Sequence, residues 1–403
     1  MCKYISLRLR LRRSSNSDGA VSGSEKVSFV RPLIVCSKST WEPAIRREHA
    51  LSEQAAMHGH AVVFLERPLD VRAMRDPTQR RRWLRAAVPR RCVARLATVT
   101  VVRTAALAPG HRGAIAQRAE SRRLLAQLRR IDGLSAATVV ATQPWQWPAV
   151  SACGARRIVF DCADDWSALL PRRRQALEAL QRRIGSEAEA VIAVTDDLES
   201  RFQTTLTVVP NGTGSELLSR AVVDLPRHAR KLVYVGTLSE RFDAELVRRL
   251  MELLPDWSLD LHGPCQYAGI GTEPAPELIQ LIAARGSRVR WCGVVERSLL
   301  ACAIDAGTVA IIPHRLGHTF GQDSMKLYDY AARGRPIVSS VPPSSPIPSG
   351  ILIANDASQF ADAVQAAAQL PQAILGGLRA WAELQTWPAR WALWHRAVLG
   401  EDS

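Results

Sequence analysis

Ser324-Met-Lys-Leu-Tyr-Asp-Tyr-Ala-Ala-Arg-Gly-Arg-Pro-Ile-Val-Ser-Ser340 reads as a short helix with its own stop signal, followed at once by a buried strand. Asp323 or Ser324 is placed to accept from the free N–H groups of the first turn and so cap the helix. Gly334 supplies the left-handed residue that ends it, and Pro336 blocks any continuation. Ile337 and Val338 then bring the β-branched character of a strand. A helix N-terminus favours an anion through its unpaired N–H groups and its dipole. Lys326 adds a full positive charge to that first turn, where helix stability alone disfavours one. Asp329 follows three residues later on the same face, so the two together can hold a phosphate and a sugar hydroxyl. A solvated helix lysine is the plain alternative; the pairing points to a nucleotide-sugar site.

Composition sharpens the interest in that lysine. Of 53 basic residues only five are lysine: Lys3, Lys26, Lys38, Lys231 and Lys326. In a chain this biased toward arginine, a retained lysine suggests a need for a compact point charge. The 403 residues exceed one ordinary core, which implies two domains, and 47% apolar content excludes a wholly disordered chain. The net charge of +15 is spread along the sequence as arginine. With no zinc-finger spacing or RNP motif, it speaks for an anionic membrane surface or acidic acceptor rather than nucleic acid. The eight cysteines show no Cys-x-x-Cys pair and read as buried thiols of a cytoplasmic protein. Residues 1–27, basic and then Ser/Gly-rich, read as a disordered tail.

From Arg31 onward apolar strands alternate with amphipathic helices, the pattern of parallel α/β sheets. Strands are expected at Leu33–Cys36, Ala61–Leu65, Ala97–Arg103, Ala137–Ala141, Arg157–Phe160, Ala190–Val194 and Thr205–Val209. A helix is expected over Trp41–Met57. The turn cluster Pro210-Asn-Gly-Thr-Gly214 closes this half. A second series begins at Leu232–Val235 and continues through Ser258–Leu261, Val289–Cys292, Val309–Ile312, Pro336–Ser339 and Gly350–Ala354. The boundaries fall at 28–212 for an N-terminal acceptor-binding domain and 213–380 for a C-terminal donor-binding domain. Residues 381–403 form a helix with Trp387, Trp391 and Trp394 on one face, returning to the N-terminal domain.

Ligands of open α/β sheets lie at the carboxyl ends of strands, and four loops there carry chemistry. In Gly236-Thr-Leu-Ser-Glu-Arg-Phe-Asp243 a glycine lets the backbone approach a phosphate that Arg241 can reach. In Phe160-Asp-Cys-Ala-Asp-Asp-Trp166 three carboxylates crowd one loop, where like charges raise at least one pKa. Asp164 is the candidate general base, set against a plain reading in which Asp165 caps a helix and Asp161 bonds loop N–H groups. Trp41, Arg46 and His49 form an acceptor-side group. His314, Arg315 and Thr319 open a loop that leads into the Lys326 helix and touch the donor; Gly317 argues against a His314–His318 metal pair.

These segments, with Gly59-His-Ala-Val-Val-Phe-Leu65 and Val209-Pro-Asn-Gly212, resemble bacterial GT-B glycosyltransferases of the family 4-like group in both order and spacing. The likeness spans about Arg31 to Trp394 and is most specific at Lys326–Pro336. It implies two Rossmann-like domains, a phosphate-contacting lysine at Lys326 and a ribose-binding acid at Asp329, where glutamate is usual. Retaining members have a further glutamate where this chain has Gly321, a departure from their pattern. The aspartate loop is similar to that of the xanthan glucuronosyltransferase, which places an inverting base at Asp164. The resemblance further implies that no metal or other cofactor is needed.

The reading is a GT-B glycosyltransferase moving a sugar from a nucleotide diphosphate sugar to a lipid-linked saccharide or polysaccharide in cell-envelope or exopolysaccharide synthesis. It is expected in the cytoplasm or on the inner face of the membrane. Donor binding falls to Gly236, Arg241, Ser324, Lys326 and Asp329. A sugar-nucleotide epimerase of the same fold and a non-catalytic basic binding protein stand as alternatives.

Overall fold

The computed structural model describes residues 32–400 except 42–45, 70, 72–73, 75–79, 82, 85–90, 94–98, 104–112, 223–228, 240, 266–275, 286–287, 319–320 and 344–346. The expected tail over residues 1–27 lies outside the described residues, as does Thr319.

Two α/β sheets follow one another along the chain. The first contains β1 (Leu33–Cys36), β2 (Val62–Leu65), β3 (Arg91–Val93), β4 (Thr100–Val102), β5 (Thr138–Ala141), β6 (Arg157–Cys162), β7 (Ala190–Ala193) and β8 (Thr207–Val208). Its spatial order is β3-β4-β2-β1-β5-β6-β7-β8, parallel throughout except for β3. The second contains β9 (Lys231–Val235), β10 (Ser258–His262), β11 (Val289–Gly293), β12 (Val309–Ile312), β13 (Ile337–Ser339) and β14 (Ile351–Ile353). Its order is β11-β10-β9-β12-β13-β14, all parallel. The longer helices are α1 (Arg47–Met57), α2 (Ala114–Leu128), α3 (Arg174–Glu187), α4 (Ala244–Leu253), α5 (Pro276–Arg285), α6 (Met325–Ala332), α7 (Ala357–Ala368), α8 (Gln372–Glu383) and α9 (Trp387–Leu399).

Inner strands such as β1 and β12 are apolar end to end because both faces are covered. In β1, Ile34 and Cys36 enter one core with β5 and Trp147, while Leu33 and Val35 enter another with α1 and α9. In β9, Leu232 and Tyr234 pack on α4, while Val233 joins α6 and α8. The order turns at β1/β5 in one sheet and at β9/β12 in the other, which opens a crevice outside the carboxyl ends of those strands. Loops from the two crevices meet where Asp164 pairs with Arg241.

Three differences from the sequence expectations have local causes. The antiparallel edge strand β3 was not anticipated; its arginine-rich surroundings hide a period-two signal. Helix α1 begins at Arg47 rather than Trp41, which precedes the helix. Trp381 does not belong with the returning helix: it lies on α8 and stacks on Tyr328 at 5.4 Å in the C-terminal domain. The chain crosses back just afterwards, where Thr213 pairs with Thr386, and α9 then buries Trp387, Trp391 and Trp394 against the first sheet. Among the described residues no helix is long and apolar enough to cross a membrane.

Where α9 docks, Trp391 meets His58, His60 and His395 at ring separations of 5.3, 5.8 and 4.9 Å. Burial, then the neighbouring histidines, depresses the pKa of His60 below its ordinary 6.5, and burial followed by His58 does the same to His395. The unfolded chain therefore binds more protons than the folded one once pH falls below about 6.5. This contribution to stability is present above that pH and lost as pH falls through the depressed folded values. The melting temperature is expected to be lower at pH 5.5 than at pH 7.5, with a smaller difference in the H60Q/H395Q double variant. An unchanged difference in that variant would refute the assignment.

Candidate functional site

The helix–turn–strand unit built around α6 forms as the sequence dictates at its far end and differently at its near end. Gly334 takes a left-handed φ of 61°, Arg335 N donates to Tyr330 O, and β13 begins directly after Pro336. At the start, Ser324 is the N-cap residue but its side chain makes no capping bond. Asp323 turns away from the helix N–H groups: its carboxylate accepts from Asn211 N at 2.5 Å and from the Tyr328 hydroxyl at 2.8 Å. The expected side-chain cap is therefore absent, because Asp323 is used to tie the crossover segment to α6. The first-turn N–H groups are left without that competitor.

Lys326 is half-buried on this turn, and its stem runs over the backbone of Gly236. A Cβ at Gly236 would overlap Lys326 Cε, so any larger residue there would expel the lysine. Gly263 is required in turn, since a Cβ on it would overlap the Gly236 carbonyl. The ammonium lies 5.4 Å from the Tyr234 ring centroid. Burial, together with the positive charges of Arg241 and Arg46, pulls its pKa down to about 8 against the opposing pull of Asp329. The lysine is thus a half-buried cation gathered with other cations. Asp329 sits beside it, accepts from Thr213 Oγ1 at 2.8 Å, and is pushed up by burial to about 7.

The aspartate loop contradicts the expectation of crowded, mutually repelling carboxylates. β6 extends to Cys162, so Asp161 is a strand residue buried against Arg47, whose Nε lies 3.0 Å from Asp161 Oδ1. Asp165 caps the next turn by accepting from Ser167 N and Ala168 N, and it also meets Arg201. Asp164 meets Lys38 at 2.8 Å and Arg241 at 2.7 Å. Burial works to raise the Asp164 pKa, but Lys38 and Arg241 outweigh it and hold the carboxyl well below the usual range. Each acid has its own cation, and Asp164 spans the cleft from the first domain to Arg241, in the turn after β9 of the second.

The acceptor-side residues are divided. Arg46 stands at the N-cap of α1 and is near enough to act on Lys326. Trp41 packs edge-on to Phe64 and His49 and donates its backbone N–H to Glu66. His49 is buried, with Nδ1 accepting from Arg46 N and Nε2 facing Thr40 O at 3.0 Å, which leaves no ring nitrogen for an acceptor. His314 is likewise buried, with Nδ1 facing Gln322 Oε1 at 3.1 Å. Lys38 was missed. Its signal was available, since it is one of the five lysines and follows β1 directly. At Gly321 the φ of 63° and a Cβ that would press on Leu198 of the facing domain leave no room for the glutamate of retaining relatives.

Comparison with known proteins bears on the fold and the family. Residues 229–369 match the family model described as glycosyl transferases group 1. A Bacillus subtilis (strain 168) protein named for a teichuronic acid biosynthesis glycosyltransferase, TuaH, is 23% identical over 212 residues, covering 47% of this chain. The chain spans about half of that relative's length, 51%. Among solved structures, sucrose-phosphate synthase from Thermosynechococcus elongatus superposes with a TM-score of 0.73 at 15% identity, covering 91% of this chain and 98% of that one. Anabaena HepE, solved with UDP and glucose, gives 0.65 at 14% identity, covering 92% and 100%. The chain thus has the GT-B fold, two Rossmann-like domains, and its residues 229–369 are similar to the glycosyl transferases group 1 domain.

Proposed function

We propose that this protein transfers a sugar from a nucleoside diphosphate sugar to a saccharide or lipid-linked acceptor of the cell envelope. The observation that carries the reading is Lys326 laid across Gly236 with Arg241 and Arg46 beside it, a half-buried cationic pocket at the head of α6. A diphosphate fits it by charge: the cations and the positive end of the α6 dipole would stabilise the negative charge that develops on the leaving group. Asp329 would hold the ribose. The envelope acceptor draws support from the TuaH likeness.

Asp164 would take the acceptor proton, and its present contacts bear on when it could. While Lys38 and Arg241 both hold it, the carboxylate is a poor base. A donor diphosphate would draw Arg241 to itself and leave Asp164 with one cation fewer and a higher pKa. Gly321, which denies the second acid of the retaining pattern, favours an inverting displacement with Asp164 as base. A cytoplasmic place against the inner membrane face follows from the same proposal and the net charge of +15.

The test is a melting curve of the full chain with UDP, GDP and their sugar conjugates, followed by a transfer assay with envelope lipid extracts. One diphosphate is expected to stabilise the protein by about 2.7 kcal/mol at a hundredfold excess over its Kd. Its sugar conjugate is expected to label a lipid or polysaccharide fraction. No response to any nucleotide would sink the proposal, and donor turnover without an acceptor would favour an epimerase.

A further inference from the structure

Near the open edge of the second sheet, three side chains with metal-ligand chemistry converge outside the cationic pocket. The carboxylate of Asp260, the ring of His262 and Sγ of Cys292 each offer a ligand atom, all within 4.8 Å of one another. The backbone accounts for the meeting. Asp260 and His262 are two apart on β10 and so share a face. The β10–β11 register runs Leu261 with Trp291 but His262 with Gly293, so Cys292 is the extra residue of a bulge. Bulges of this kind re-aim a side chain.

An independent observation concerns His262. Both of its ring nitrogens are closed off from solvent and neither has a hydrogen-bond partner. An imidazole in that state has lost its water at both nitrogens and gained nothing, which calls for a ligand not yet accounted for. Asp260, by contrast, is already oriented. Arg290 binds it through two nitrogens at 2.8 Å each and Lys231 at 2.7 Å, three of the roughly four lone-pair positions of a carboxylate. Hydrogen-bonded carboxylates of this sort are the usual outer support of metal ligands. The two cations oppose a further positive charge, but loss of the Cys292 proton on binding offsets half of a divalent ion's charge.

We propose that Asp260, His262 and Cys292 bind one divalent cation of the zinc type, with a fourth position open to water. Mixed sulfur and nitrogen donors select zinc-like ions over magnesium or calcium. Around such an ion, at bond lengths of about 2.0–2.3 Å, ligand atoms stand roughly 3.5 Å apart, so modest side-chain rotation closes the site. Binding forms a metal–thiolate bond and releases the thiol proton to solvent. The His262 carbonyl accepts from Gly236 N at 2.8 Å, so the ion would also brace the strand end that carries the donor turn. The proposed ion departs from the expectation that no metal is needed, and it lies outside the cationic pocket.

The experiment is titration of the chelator-treated full chain with Co²⁺, read as thiolate-to-cobalt charge-transfer absorption, and with Zn²⁺ by calorimetry. One ion per chain is expected, with the absorption lost in C292S and affinity reduced at least about tenfold in H262A. Circular dichroism of both variants controls for folding; Cys292, like Cys302, is exposed rather than buried as the sequence suggests, and its replacement by serine leaves the core intact. Absence of binding would overturn the proposal. So would a cobalt spectrum unchanged in H262A, which would mean that the thiol alone takes up metal.

Discussion

Lys326→Ala is expected to lower kcat/KM for the donor by about 10²–10³-fold, the usual loss when one preorganised charge-stabilising group is removed. The same variant is expected to abolish the stabilisation by UDP or GDP while leaving the melting temperature of the empty protein unchanged or raised. The second half of that expectation follows from the surroundings of the lysine. Its ammonium shares its space with Arg241 and Arg46, and its pKa is already pulled down to about 8. Removing it relieves repulsion in the empty site and removes attraction in the filled one. Lys326→Arg is not expected to rescue, because the stem threads past Gly236 and a planar guanidinium is broader than an ammonium. The pH dependence has a definite sign. Below about 8 the lysine is charged and binds a diphosphate fully; as pH rises through that value the free form loses its proton and donor affinity falls. In Lys326→Ala this alkaline limb should vanish. A variant that keeps both nucleotide stabilisation and the limb would place the phosphate elsewhere.

Much of this arrangement was legible because it is local. The stop at Gly334 and Pro336 and the apolar strands around it depend on residues within a few positions of one another. The domain pairing was legible from the repeat of one pattern. What escaped was set by partners distant in the chain. Asp161 looked like one of three loop carboxylates because Arg47 lies 114 positions away and Trp394 lies 233 away. Asp323 looked like a helix cap because Asn211 is 112 positions away. His49 looked available because the sequence does not tell a buried imidazole from an exposed one. Trp381 and Trp387 are six apart and belong to different domains, a distinction that rests on the crossover between them.

Asp161 and Asp164, three positions apart, should separate folding from catalysis. Asp161→Ala would leave Arg47, with 3% of its side chain exposed, without its counter-ion, and Trp394 Nε1 without its acceptor. Arg47 also holds the carbonyls of Val209 and Pro210, so it cannot swing out to water without releasing the crossover. Removing one partner of a buried pair costs about 3–5 kcal/mol, because the remaining charge is stranded. For a domain of this size that is a fall on the order of 10 °C in melting temperature. Asp161→Asn keeps an acceptor for Trp394 but not the charge, and is expected to fall between. Asp164 differs in having partners that reach solvent, with 15% of the Lys38 side chain and 25% of the Arg241 side chain exposed. Its replacement by asparagine should cost less stability than Asp161→Ala, because Lys38 and Arg241 can turn to water once the carboxylate is gone. If Asp164 is the base, the same change should lower kcat by about 10²–10⁴-fold with donor KM nearly constant. Calorimetric melts and transfer kinetics on the two variants check both halves. A stable Asp161→Ala would mean that Arg47 finds another counter-ion. An active Asp164→Asn would reduce Asp164 to a latch between the domains and return the search for the base to the acceptor itself.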